Sequence, residues 1–320
     1  EAPEAFRADF TYATGIVKSP LLTLPNAGRL RYLDLGFFPA PVPASDSVLT
    51  RQVLASLQGW RDPHADKRKF GHVFVLAGSR HYPGAALMAV LAALRSGAGL
   101  VSAFVPESLV PAFAAKVPEA IWVGCPETPD GGIALEARHL LVERWDRANA
   151  FVIGPGLGRE RETAALAMDL VKTAPVPVVL DADALQPDII AAARTPLVLT
   201  PHAGEFARIA GKKKLRDYAA SAGATIVLKG PITRIATGET VVHSFFGGSV
   251  LARGGSGDLL AGLIGTQLAQ SPNDPFGAAC RGVAWHGLAA DLLARSKGST
   301  AVRTTQVLDH LSAVLRMVEL

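Results

Sequence analysis

The chain has 320 residues, 49% hydrophobic and 19% charged, which predicts a well-buried globular core and excludes intrinsic disorder. Its formal charge of +4 suits anionic ligands, but the single basic triplet, Lys212-Lys213-Lys214, reads as a solvated loop, and no dense Lys/Arg run marks a nucleic-acid groove. Cys125 and Cys280 build neither a disulfide framework nor a zinc spacing, and no run approaches the roughly 18 apolar residues of a membrane span, so the expectation is a cytoplasmic chain with neither membrane nor nucleic acid as partner.

In chain order, Glu1-Ala2-Pro3-Glu4 lacks the basic and apolar stretches of a signal peptide. Residues 11–14 and 30–35 then read as short strands, separated by Pro20, Pro25 and Gly28. Phe37-Phe38-Pro39-Ala40-Pro41-Val42-Pro43 reads as a stiff linker. Residues 1–45 are therefore a piece unable to bury a core alone, which must dock on the remainder.

From Lys69 onward strands and helices alternate. Residues 72–77 are a wholly apolar run of the buried parallel-strand kind. A turn follows over 78–84, then an Ala/Leu-rich helix over 85–96 stopped at Gly97. Further strands are predicted over 100–105, 150–153, 178–180, 197–199 and 225–228. Helices are predicted over 258–269, 276–295 and 305–318, the last with Thr304 as N-cap. Over residues 46–320 this alternation predicts an α/β sandwich with a mostly parallel central sheet. Such sheets bind ligands outside the carboxyl ends of their strands.

The strand-end loops carry the polar groups. Gly154-Pro155-Gly156-Leu157-Gly158 has neither the G-x-G-x-x-G spacing nor a Walker A Lys-Ser/Thr pair, and reads as a tight turn or a ligand loop. Asp183 is a candidate cap, and Asp181 a candidate to steady a magnesium ion through water. In Thr200-Pro201-His202-Ala203-Gly204-Glu205 a histidine falls just past a strand end, a better ligand position than that of His286 inside a helix. Lys229-Gly230-Pro231-Ile232-Thr233 offers a cation and a hydroxyl, either to snorkel from the sheet or to hold a nucleotide phosphate. Gly254-Gly255-Ser256-Gly257-Asp258 precedes an apolar helix, and the N–H groups of Gly255, Ser256 and Gly257 form an anion cradle reinforced by the helix dipole. Asp258, in the first turn, either caps that helix or takes a proton from an attacking hydroxyl.

Read together and in this order, these loops, with Val75-Leu76-Ala77-Gly78-Ser79 and Tyr82-Pro83-Gly84-Ala85-Ala86, resemble the NAD(P)H-hydrate dehydratase family, a branch of the ribokinase-like superfamily. The resemblance spans roughly residues 48–320. Gly-Gly-Ser/Thr-Gly-Asp occurs in many ribokinase-like kinases, and its combination with Gly-Pro-Gly-Leu-Gly and Thr-Pro-His-x-Gly-Glu is more specific. The resemblance implies a ribokinase-like three-layer sandwich and a repair reaction. ADP, or less commonly ATP, phosphorylates the hydroxyl of the S epimer of hydrated NADH or NADPH, and loss of phosphate restores the nicotinamide ring, leaving AMP when ADP is the donor. By motif, Ala85, Gly156, Gly158, His202 and Asp258 would contact the hydrated dinucleotide. Lys229, Gly230, Pro231, Ile232, Thr233 and Gly257 would hold the adenine nucleotide, and Asp258 would be the base. Members of the family are commonly tetramers. A magnesium ion is expected on phosphoryl-transfer grounds, with no ligands assigned.

Residues 8–15 and 33–36 look like the closing strands of the NAD(P)H-hydrate epimerase domain that precedes the dehydratase in bifunctional members, too short a remnant to hold an epimerase site. Two positions depart from the family pattern. Phe245-Phe246-Gly247-Gly248-Ser249-Val250 lacks an Asn-containing Gly-Asn-Pro, and Arg253 stands where a small or hydroxyl residue is commoner. The rival readings are a ribokinase-like kinase of a vitamin precursor or sugar and a non-catalytic nucleotide-binding module. An NAD-dependent dehydrogenase fails for want of its glycine fingerprint.

Overall fold

Residues 6–37 and 46–316 are described in the computed structural model. All but the first residue of the expected linker, and the end of the expected last helix, lie outside them. The strands in chain order are β1 (Phe10–Thr14), β2 (Arg29–Leu33), β3 (Asp46–Val48), β4 (His72–Leu76), β5 (Leu100–Pro106), β6 (Ile121–Cys125), β7 (Ala150–Ile153), β8 (Val178–Leu180), β9 (Leu197–Leu199), β10 (Thr225–Leu228), β11 (Thr233–Ala236) and β12 (Val241–Ser244). The α-helices are α1 (Pro83–Arg95), α2 (Val110–Lys116), α3 (Arg138–Val142), α4 (Arg161–Thr173), α5 (Pro187–Ala192), α6 (Ala203–Ala210), α7 (Leu215–Ala222), α8 (Ser256–Gln270), α9 (Pro275–Lys297) and α10 (Leu311–Arg316).

Ten strands share one sheet in the order β3-β12-β11-β10-β9-β8-β7-β4-β5-β6. Only β11 runs against its neighbours; every other pairing is parallel. The chain runs outward from β4 to β6 and then returns to place β7 on the other side of β4. That reversal opens a crevice at the carboxyl ends of β4 and β7, the usual ligand position of such sheets.

Alternation along each strand sends unlike side chains to the two faces. Val73, Val75, Ala103 and Val152 join α1, α8 and α9 in one core, while Phe74, Leu76, Phe104 and Phe151 join α3 to α7 in the other. The first face is built for close approach. A Cβ on Gly262 of α8 would lie 2.1 Å from the Ala89 carbonyl of α1, and one on Gly265 would lie 2.3 Å from Val152 of β7. The second face is filled by rings, with Trp145 stacked on Phe74 at 5.8 Å between centroids.

The strands expected from apolar runs are present, and β1 pairs with β2 in a separate parallel ribbon. Sequence reasoning missed β3, β6, β11 and β12, which lie toward the sheet's flanks: β3, β6 and β11 are only partly buried, and β12, though buried, carries His243 and Ser244, so none forms a continuous apolar run. The expected last helix is a 3-10 segment, Thr304–His310, followed by α10. Thr304 is not its N-cap. Arg303 holds that place, donating its N–H to the Gln306 side chain at 2.7 Å, because the Thr304 hydroxyl is drawn to the Gly254 carbonyl at 2.9 Å.

The ring-filled face yields a stability prediction. Phe74→Ala should cost about 3–5 kcal/mol in urea unfolding, and a loss below about 1 kcal/mol would contradict this packing.

Candidate active site

The loops after β4, β7, β8, β9 and β10 converge at the carboxyl edge of the sheet. The first two are tied across the crevice, with Gly78 donating to the Pro155 carbonyl at 2.8 Å and Gly154 to the Leu76 carbonyl at 3.2 Å. Gly156 lies so near α1 that a Cβ on it would be 2.8 Å from Ala85 Cβ, which brings two of the expected dinucleotide contacts together. Gly158 donates its N–H to Asp183 Oδ2 at 3.0 Å. The Ser79 hydroxyl, buried near Gly158 with no partner, is a polar group that sequence reasoning did not single out.

Asp181, 1% exposed, follows β8. Its Oδ1 accepts from Thr200 Oγ1 at 2.6 Å and from Lys229 Nζ at 2.9 Å. Parallel pairing makes this meeting inevitable, because Leu180 lies opposite Leu199 and Leu199 opposite Ile226, so the loops begin side by side. Ala182 adopts a left-handed φ of 48°, alone among the described non-glycine residues. That conformation costs roughly 1–2 kcal/mol and turns the chain between the two carboxylates, strain of the kind stored at working sites.

Lys229 thus has an anionic partner before any ligand arrives. Burial works against its charge, but Asp181, then Glu205 and Asp258, outweigh burial and raise its pKa. Its Nζ is 3.0 Å from where a Cβ on Gly257 would sit, and Asp181 Oδ2 is 3.8 Å from the same point. Lys229 and Gly257, both expected at the nucleotide, are therefore neighbours. The turn beyond Lys229 is less uniform. The Thr233 hydroxyl bends back to the Gly230 carbonyl at 3.4 Å, and Ile232 packs against Phe245 and the β1–β2 ribbon. Gly230 and Pro231 are exposed.

The cradle itself starts with Gly255, whose φ of +86° requires glycine and brings its backbone against Met88 of α1. The Ser256 N–H turns back to the Arg253 carbonyl at 3.3 Å. Gly257 and Asp258 occupy the next helical positions, whose N–H groups have no carbonyl within the helix to bond. The free N–H groups of this turn thus lie toward the helix side of the expected Gly255-to-Gly257 cradle. Arg253 spans outward, its guanidinium donating to the Ser299 and Thr300 carbonyls at 2.7 and 2.6 Å.

Burial and the Asp181 charge push the Asp258 carboxyl up to about 6, against the opposing pull of Lys229. A carboxylate so placed is basic enough to receive a proton and largely ionised at neutral pH.

His202 also has a structural task, as the N-cap of α6. Its Nδ1 accepts from the N–H groups of Gly204 and Glu205 at 3.0 and 3.3 Å, while Glu205 Oε2 accepts from the His202 N–H at 2.8 Å. This is a capping box with His in place of Ser or Thr, and the His-x-x-Glu spacing was its visible signal. An accepting Nδ1 puts the neutral ring's proton on Nε2, which lies 3.5 Å from Glu205 Oε1. His286 is buried in α9, its Nε2 unpartnered, and burial with the Lys229 charge depresses its pKa to about 4.

Comparison with known proteins identifies the family and the fold. The family model described as NAD(P)H-hydrate dehydratase covers residues 73–313. The chain belongs to this family. It is 35% identical to a bifunctional NAD(P)H-hydrate repair enzyme of Moorella thermoacetica, over 98% of this chain and 63% of that protein. It is 34% identical to an ADP-dependent (S)-NAD(P)H-hydrate dehydratase of Xanthomonas campestris, over 79% of this chain and 91% of that one. The chain spans less than two thirds of the length of the bifunctional relatives it matches. The Bacillus subtilis ADP/ATP-dependent NAD(P)H-hydrate dehydratase, co-crystallized with ATP/Mg2+, superposes with a TM-score of 0.68 at 34% identity, covering 84% of this chain and 97% of that one. A ribokinase-like superfamily protein of Enterococcus faecalis reaches 0.74 at 26% identity, covering 86% and 97%. The sandwich is ribokinase-like, as the sequence resemblance implied.

The raised Asp258 pKa predicts a stability profile for the ligand-free protein. Between about 4, the unfolded value, and about 6, the folded one, folding takes up a proton, so this residue's contribution to stability falls as pH rises. Asp258→Asn should therefore gain about 2 kcal/mol at pH 8 and nothing below pH ~4 in denaturant titrations. A variant less stable than wild type at pH 8 would contradict the burial of this charge.

Proposed function

We propose that this chain restores NADH or NADPH from the S epimer of the hydrated cofactor by transient phosphorylation, with ADP or ATP as donor. The observation that carries the reading is the place of the Asp258 carboxyl, in the first turn of α8 within the Gly254-to-Asp258 segment and next to Gly257, which lies against Lys229. The relatives named for the same reaction support it.

In this reading Asp258 takes the proton of the added hydroxyl as its oxygen bonds to the terminal phosphorus of the nucleotide. The bond from that phosphorus to its bridging oxygen breaks, leaving AMP from ADP or ADP from ATP. Departure of the phosphate, with loss of a ring proton, restores the double bond. The N–H groups at the start of α8 and the Lys229 charge stabilise the transferring phosphoryl. Ala85, Gly156, Gly158 and His202 line the dinucleotide side, and Lys229 to Thr233 with Gly257 the nucleotide side.

Among the described residues no three His, Cys, Asp or Glu side chains form a metal cage. That donor set fits magnesium carried mainly by nucleotide phosphates and water, a common mode for this ion. Asp181 and Asp183 would hold it there through water. Such an ion supplies charge neutralisation at the phosphates. We read the β1–β2 ribbon as the close of an epimerase-like unit, consistent with relatives longer than this chain.

Mixing the protein with hydrated NADH, ADP or ATP and Mg2+ should restore nicotinamide absorbance, and chelation by EDTA should stop it. No recovery with either nucleotide from folded protein overturns the reading, and a stable phosphorylated product would mark a kinase instead. Asp258→Asn should still bind nucleotide while turning over at least about 100-fold more slowly; near-normal turnover would refute the base.

A further inference from the structure

The β1–β2 ribbon is not an inert remnant on the surface. Its Ala27 and Leu30 form a small core with Phe245, and Ile232 packs on that core. Phe245 precedes the cradle and Ile232 lies in the turn after β10, so one apolar cluster joins both stretches that flank the nucleotide side. An ionic cluster secures the same contact. Asp291 of α9, 8% exposed, accepts from Arg29 Nη2 at 2.5 Å and Arg31 Nη2 at 3.0 Å through Oδ1, and from the Gly247 N–H at 3.1 Å through Oδ2. Arg31 also donates to the Phe245 carbonyl.

This loop needs outside restraint. Gly247 and Gly248 have φ of +87° and +156°, and neither has a side chain with which to hold the path. Consecutive glycines lose more conformational freedom on ordering than any other pair. The restraint comes from elsewhere: Asp291 fixes the Gly247 N–H, and the Arg29 guanidinium lies 2.7 Å from where a Cβ on Gly248 would sit. One turn back on α9, Gly287 leaves room for Phe246, whose Cβ is 2.6 Å from its would-be Cβ.

We propose that the β1–β2 ribbon clamps the nucleotide side of the site, with Asp291 as the positioning residue that sets affinity for the adenine nucleotide without touching it. This rests on the nucleotide lying along Lys229 to Thr233 and Gly257. The clamp acts on the free energy of ordering those loops, so its loss is felt in nucleotide binding rather than in the chemical step.

The test is calorimetric titration of ADP and ATP into the full chain carrying Asp291→Asn or Arg29→Gln, with steady-state kinetics beside it. Asp291→Asn should weaken nucleotide binding about 10-fold and Arg29→Gln about 3-fold, while kcat at saturating nucleotide and KM for hydrated NADH stay within about 2-fold. Arg29 is partly exposed, so its variant decides the matter if Asp291→Asn does not fold. Unchanged nucleotide affinity in a folded variant overturns the proposal, as does a kcat that falls in parallel with affinity. Because calorimetry needs no hydrated substrate, the clamp is judged even if no NADH is restored, an outcome that would sink the dehydratase reading alone.

Discussion

The buried ion pair between Asp181 and Lys229 is the constraint around which the site is arranged. A carboxylate 1% exposed is tolerable only when its oxygens are satisfied. Here Thr200 and Lys229 satisfy one of them from the next two strands of a parallel sheet. Removing one member of such a pair leaves the other charge buried and costs roughly 3–5 kcal/mol. The loops after β8, β9 and β10 are therefore locked to one another by electrostatics as well as by register. His202 and Lys229 complete the lock with an isolated parallel bridge beyond the ends of their strands.

Asp258 inherits its chemistry from that pair. Burial alone would favour its neutral form, and Asp181 pushes the same way; Lys229 resists both. With Lys229 already engaged by Asp181, its charge does not pull Asp258 into the ordinary carboxylate range. The outcome is a carboxyl held above the ordinary carboxylate range in the first turn of α8, where unbonded N–H groups favour anions.

The position of α8 depends on the small side chains of one sheet face. Gly262 and Gly265 let the helix lie against α1 and β7 at distances no larger residue would permit. That packing carries Gly257 to Lys229. On the other side of the sheet, rings and leucines pack the helices α3 to α7 against it. The β1–β2 ribbon adds a third support, reaching the loop before α8 through Asp291.

Much of this was legible in the residues. Continuous apolar runs marked the central strands, since a strand buried on both faces must be apolar throughout. The glycine-rich segment before an apolar helix marked the start of α8 with Asp258 in its first turn, and the ordered set of loop motifs indicated family and fold. Flanking strands such as β6 and β12 left no such run, and the Arg29, Arg31 and Asp291 cluster joins residues some 260 positions apart. One fact belonged to the tertiary structure alone: Asp181 is the partner of Lys229, whereas the His202 cap of α6 is a local contact that the His-x-x-Glu spacing already signals. Local spacing names the groups that can donate or accept, but pairing depends on strand order and register, which bring distant loops together only when the sheet is assembled.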